Sequence, residues 1–260
     1  MSNTDKKPKV FIGVGHGGSD PGAVGYVKEA DVNLIMAEAC RDYLVANGIT
    51  VLMSRTRDEN DPVSQEVKEC NAFNPDLAVD VHNNAGGGDG FEALVSIKGG
   101  VGRTLAENIE AEVKKIGQNS RGIKTRKNSR GEDYFAFIRS IRCPSVILEG
   151  LFVDNATDVK IGDTVAEQKA FGVAYAKGIL KTLNVKDTAP SKPKTEPVES
   201  SSFMVRITIP NLNIRGGAGT QYQKKGFIKP GVYTIVEVKN GFGKLKSGIG
   251  WISLNYAERI

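Results

Sequence analysis

Only two histidines occur in the 260 residues, His16 and His82. Each follows an apolar run and precedes small or amide residues, in "KVFIGVGHGG" and in "DLAVDVHNNA". Two carboxylates have related settings. Glu29 lies in the long loop "GGSDPGAVGYVKEAD", just before a helix expected from Asp31, and Glu149 ends the apolar run "SVILE". Two imidazoles and a carboxylate, with a fourth position left open, are the donor set of a catalytic zinc ion, which brings a bound water's pKa to about 7 and polarises a carbonyl. A further carboxylate, not bound to the metal, is then needed to take the water proton and pass it on. Glu149 suits that task because it emerges from an apolar strand and would be partly desolvated. Spacing alone also leaves open that both histidines are structural. The segment "GVGHGG" loosely resembles a phosphate loop, but no helix is expected directly after it and no GKS or GKT occurs, so nucleotide binding is not expected.

These side chains need elements to position them. In an open α/β sheet, sites form beyond the carboxyl ends of strands. Strands are expected at 9–15, 49–54, 76–82, 91–97 and 145–150. Helical spacing appears over 31–47, with Val32, Ile35, Met36, Ala39 and Tyr43 on one face, and over 102–116 and 164–183; 63–72 is a weaker helix. Strands alternating with helices imply an α/β fold with a mostly parallel sheet. His16, His82 and Glu149 then fall at the same end of three strands.

The organisation is read as a body at 1–185, a Pro-rich linker at 186–202 and a tail at 203–260. Net charge is +5, unevenly spread. Residues 1–183 hold 23 basic and 25 acidic side chains, whereas 203–260 hold nine and two. A balanced body joined to a basic tail suggests catalysis in the first and attraction to polyanions in the second. The tail's turn signals, "RGGAGT", "KPG" and "KNGFG", and its β-branched residues predict a small all-β barrel, with Tyr233 and Trp251 in its core. Three widely spaced cysteines, Cys40, Cys70 and Cys143, predict reduced thiols. No apolar window approaches a membrane span, and the first residues lack the apolar stretch of a secretory signal. The chain is therefore expected to stay in the cytoplasm until another protein releases it, and no membrane partner is expected.

The motifs have a family likeness. "GHGGSDPGAVGYVKEAD", "DLAVDVHNNA", "NSRGIK" and "PSVILEGLFVDNATD" resemble, in order, the motifs of zinc-dependent N-acetylmuramoyl-L-alanine amidases, the peptidoglycan-cleaving family found in autolysins and phage endolysins. The tail resembles a bacterial SH3-like cell-wall-binding domain. The resemblance implies a twisted sheet of about six strands flanked by helices. It implies one zinc ion held by His16, Glu29 and His82, with Glu149 as catalytic acid/base. The bond it implies is the amide between N-acetylmuramic acid and L-alanine. A wall hydrolase without an export signal fits a phage endolysin released by a holin, with the peptidoglycan of a Gram-positive wall as partner. Three positions depart from the family pattern. Tyr26 stands where Gly usually precedes the glutamate, Asp80 replaces a small hydroxyl residue, and Glu66 falls near an expected Arg. Asp80 shares a strand face with His82, so it could orient that ligand or be a plain buried carboxylate.

Asn83, Asn84 and Arg121 are candidate substrate contacts. Arg215, Tyr222, Lys224, Lys225 and Phe227 are candidate wall contacts, the cations toward anionic wall polymers. Two other readings stay open: a zinc carboxypeptidase of wall peptides, and a non-catalytic wall-binding protein. Nucleic-acid binding is not expected, because the tail lacks recurring surface aromatics for base stacking.

Overall fold

A computed structural model describes residues 7–188, 202–219, 222–239 and 241–260. They fall in two compact units, one on each side of the expected linker, most of which lies outside the described residues. Lys186–Thr188, assigned to that linker from sequence, belong to the first unit. The Tyr43 hydroxyl donates to Asp187 at 2.9 Å, and the Thr188 amide donates to Asn47 Oδ1 at 2.8 Å.

The first unit runs β1 (Lys9–Val14), α1 (Glu29–Ala46), β2 (Thr50–Met53), α2 (Val63–Phe73), β3 (Leu77–Asn84), β4 (Phe91–Val95), α3 (Val101–Lys115), β5 (Ser120–Lys124), α4 (Ala136–Ser140), β6 (Ser145–Phe152) and α5 (Val165–Thr182). The sheet order is β2-β1-β3-β6-β4-β5. β1, β2, β3 and β6 are mutually parallel, whereas β4 runs antiparallel to β6 and carries the parallel β5 with it. The sheet is thus mixed, mostly parallel and six-stranded.

Side chains alternate across a strand, so each strand feeds two layers. On one face Val10, Ile12, Val14, Val79, Val81, Val146, Leu148 and Ala93 pack with Met36, Cys40, Leu105, Ile109, Phe171 and Tyr175 of α1, α3 and α5. On the other face a smaller cluster, Phe11, Ala78 and Ile147 with Cys70, Phe137 and Ile138, lies under α2 and α4. That cluster occupies only the end of the face where β1, β3 and β6 begin. Toward their C-terminal ends the same positions become Asp80, His82 and Glu149.

The second unit is a seven-stranded antiparallel sheet in the order β13-β7-β10-β11-β12-β8-β9. Its strands are β7 (Phe203–Ile207), β8 (Leu212–Arg215), β9 (Lys224–Ile228), β10 (Gly231–Lys239), β11 (Phe242–Leu245), β12 (Trp251–Ser253) and β13 (Glu258–Arg259). Val205, Ile207, Leu212, Ile214, Ile228, Ile235, Leu245 and Ile252 make its core, with Tyr233 packed against them. Trp251 is not in that core. Alternation gives the inward position on β12 to Ile252, leaving Trp251 half-buried outside, where Lys244 Nζ lies 5.8 Å from its ring.

Candidate active site

β1 delivers the chain to the site and stops at Val14. The Gly15 amide still pairs with the Val81 carbonyl at 3.1 Å, and then His16 turns with φ 64°, in the left-handed region that few residues other than Gly adopt. Gly15 is required by close approach: a Cβ there would lie 2.1 Å from His82 Cε1. The two imidazoles meet edge-on, with ring centroids 5.0 Å apart. Glu29 was expected in the loop before a helix starting at Asp31, but it is the first residue of α1. Lys28 is extended and ends the loop, and the carboxylate at the first helical position faces the positive end of the helix dipole.

One oxygen of Glu29 joins the two histidines. Oε1 lies 3.2 Å from His16 Nε2 and 3.1 Å from His82 Nδ1. Two ligands about 2.05 Å from one metal at a tetrahedral angle lie about 3.3 Å apart, so these separations suit zinc. The donor atoms of all three residues lie within 4.8 Å of one another, and among the described residues this is the one such group of histidine, cysteine or acid side chains. Each imidazole shows its other nitrogen to a carboxylate. His16 Nδ1 is 2.9 Å from Asp20 Oδ2, and His82 Nε2 is 3.4 Å from Asp80 Oδ2. Such partners fix which ring nitrogen is free to bind a metal. The donor set therefore fits zinc in identity, number and spacing.

The charges agree. Burial pushes the Glu29 carboxyl up, but the bonds to His16 and His82 outweigh it and hold it below the carboxylate range. The bond to Glu29 raises His16. Burial opposes the charged form of His82, yet Asp80 and Glu29 outweigh it and raise it well above the usual range.

Glu149 stands in register with His82 on the neighbouring strand, so both side chains emerge on the same face. It does not end its strand, as expected, because β6 continues to Phe152. Burial, more than any neighbouring charge, pushes its carboxyl up to about 7. A carboxyl poised there can accept and return a proton near neutral pH.

The substrate candidates separate. Asn84 is half-buried beside the site, its Nδ2 3.4 Å from Glu92 Oε2, and Arg121 stands beyond it on β5, bonded to Glu92. Asn83 does not face the site. It is 3% exposed, donates to Asn33 Oδ1 at 2.7 Å and accepts from the Leu151 amide at 3.1 Å. Strand alternation turns it away from His82, toward α1, and only its backbone N–H serves the site, reaching Glu29 Oε1 at 3.2 Å. Glu66 is buried under the open face. Burial, then the charges of Asp80 and Asp61, push its carboxyl up to about 10, so it is uncharged there.

Two positioning residues were not read from the sequence. Asp20 follows His16 by four residues in a Gly-rich turn, a spacing that could have signalled it. Arg55 is 2% exposed and donates to the carbonyls of Val14, Gly15 and Ala30, tying the His16 loop to the start of α1. An arginine bound to carbonyls leaves no pattern in one sequence. Tyr26, at a departure from the family pattern, is 65% exposed while its amide bonds the Val153 carbonyl at 2.8 Å.

In the second unit, Lys224 and Lys225 are exposed on β9, Phe227 is 62% exposed, Tyr222 is exposed, and Arg215 Nη1 donates to the Tyr222 carbonyl at 3.0 Å.

A mixed α/β sheet with two histidines and two glutamates gathered on its open face defines a hydrolase domain with the donor set of a metal site. The sequence profile of the N-acetylmuramoyl-L-alanine amidases matches residues 10–181, and the chain belongs to that family. It is 30% identical to the N-acetylmuramoyl-L-alanine amidase CwlM of Bacillus licheniformis over 224 residues, 84% of this chain and 82% of that one. Among solved structures, it resembles Cwp6 from Clostridium difficile with TM-score 0.67 and 32% identity, covering 69% of this chain and 30% of that one. It resembles the catalytic domain of the amidase CwlV from Bacillus (Paenibacillus) polymyxa with TM-score 0.62 and 27% identity, covering 69% and 99%. Peptidoglycan is the substrate of this family.

Proposed function

We propose that the first unit is a zinc-dependent amidase that cuts the bond between N-acetylmuramic acid and L-alanine. The observation that carries this is the convergence of His16, Glu29 and His82 on one point, with Glu149 in register beside them. Zinc, when bound, supplies Lewis acidity that activates water and polarises a carbonyl. Glu29 Oε1, His16 Nε2 and His82 Nδ1 would hold it. Asp20 and Asp80 fix the two imidazoles. Glu149 takes the proton of the attacking water and returns it to the leaving alanine nitrogen.

The second unit is proposed to be an SH3-like wall-binding module for Gram-positive walls, using Lys224, Lys225, Arg215, Tyr222 and Phe227. Its basic charge supports attraction to anionic wall polymers. Replacing Lys224 and Lys225 together by Glu should weaken sacculus binding most at low salt. That the enzyme is a phage endolysin released by a holin is part of the proposal. Lysis that requires a co-expressed holin supports it; lysis without one counts against it.

The central test incubates the zinc-loaded protein with Gram-positive sacculi, with an EDTA control. New L-alanine N-termini, lost with EDTA and restored by zinc, support the amidase. Released D-alanine supports the carboxypeptidase reading instead. Binding without any cleavage leaves a wall-binding protein.

A further inference from the structure

The open face carries a second polar cluster that the reaction above does not use. Glu92 on β4 is in register with Glu149 on β6, so His82, Glu149 and Glu92 form a row across three adjacent strands. β5 comes next. Phe91 pairs with Ser120 but Glu92 pairs with Gly122, so Arg121 is an extra residue accommodated in β5. A bulge of this kind re-aims the side chain it carries. Gly122 permits it, with φ 89° and open space where a Cβ would project.

The bulge has a chemical result. In a regular strand, residues 121 and 124 would point to opposite faces. Here Arg121 Nε and Lys124 Nζ both reach the same Oε1 of Glu92. Two cations against one carboxylate leave one positive charge over. Arg121 is held through Nε and packs over the Phe152 ring, 5.3 Å from its centroid. No hydrogen bond from the described residues takes up its Nη1 and Nη2. Its side chain is 43% exposed and that of Lys124 41%. A fixed guanidinium with the end of its fork free is a bidentate carboxylate receptor.

We propose that Arg121 and Lys124, braced by Glu92, form a subsite for a carboxylate of the substrate. The inference rests on the amidase reading. Adjacent strands lie about 4.8 Å apart, which puts β5 roughly 10 Å from β6, and the long side chains reach back toward Glu92. One extended residue spans about 3.5 Å. The carboxylate that fits is therefore one on the stem residue after L-alanine, a free α-carboxyl where that residue is an acidic one linked onward through its side chain. Amidation of that carboxyl would remove both the charge and one acceptor.

The test uses two synthetic muramoyl tripeptides that differ only in whether that α-carboxyl is free or amidated. The zinc-loaded full chain should hydrolyse the free acid with kcat/KM at least about tenfold higher, mainly through KM. Replacing Arg121 and Lys124 together by Ala should abolish the preference, and Arg121→Lys, which keeps charge but loses the fork, should keep part of it. Melting curves establish that the variants fold. Equal kcat/KM for the two peptides in the unaltered protein overturns the subsite while leaving the amidase reading intact. If neither peptide is cut, that reading fails instead, and calorimetric Kd values decide the subsite: tighter binding of the free acid supports it and equal binding overturns it.

Discussion

On the face under α1, α3 and α5, the strands present Val10, Ile12, Val14, Val79, Val81, Val146 and Leu148, all fully buried. On the opposite face the same strands present Phe11, Ala78 and Ile147 at one end and Asp80, His82 and Glu149 at the other. The sealed face admits the buried amide of Asn83 only with its hydrogen bonds made, to Asn33 and Leu151. The open face leaves Asp80 Oδ1 buried without a hydrogen-bond partner among the described residues. An unpaired buried oxygen costs about 1–3 kcal/mol. One face is built for stability, and the other gives some of it up to place a carboxylate beside the candidate metal ligands.

Substitutions on the two faces should therefore fail differently. On the open face, Glu149→Gln should lower kcat by about 10²–10⁴-fold with zinc content unchanged, measured on sacculi and by metal analysis. Metal loss with that variant would assign Glu149 a ligand role instead. On the sealed face, Phe171→Ala should cost about 3–5 kcal/mol in denaturant unfolding, because it empties a fully buried site on α5. Zinc stoichiometry of its folded fraction should not change.

The sharpest contrast lies within Glu149 itself. Its carboxyl is raised in the folded protein to about 7, from an ordinary 4.5. The folded state therefore binds more protons than the unfolded one between those values. The ionised group begins to destabilise the fold as pH rises above the ordinary value, and the full effect is present above about 7. Metal-free Glu149→Gln should exceed the unaltered protein in stability above that pH, by up to about 3 kcal/mol, and the gain should vanish in acid below the ordinary carboxyl pKa. The substitution that removes activity would then add stability. A smaller effect is expected one layer down. Asp80→Asn should weaken zinc binding by about 10–100-fold, read by competition with a chelating dye.

The sequence showed the open face where polar residues interrupt apolar alternation. "AVDVH" and "VILE" each place a chemical group at a position that should be core, and Asp80, His82 and Glu149 were legible for that reason. Only alternation separates Asn83 from His82, and its amide suits a substrate as well as a helix, so one sequence does not show which way it faces. β5 was missed because "SRGIK" carries one apolar residue and a bulge, and α4 because five residues give too little periodicity. Glu92 and Arg121 were not linked to the site as a pair. The rule that sites lie beyond strand C-termini hides them, since reversed β4 and β5 bring their N-terminal ends there.

β6 is the last strand of the first unit in the chain, yet it lies between β3 and β4 at the centre of the sheet. Ribosomes deliver residues in order, and His16, Glu29 and His82 emerge long before Glu149. Until residue 145 onward is inserted, β3 and β4 have no common neighbour and the proton carrier is missing. Chains terminated before β6 are thus expected to be inert toward peptidoglycan, so that hydrolytic capacity arrives when that one strand is inserted.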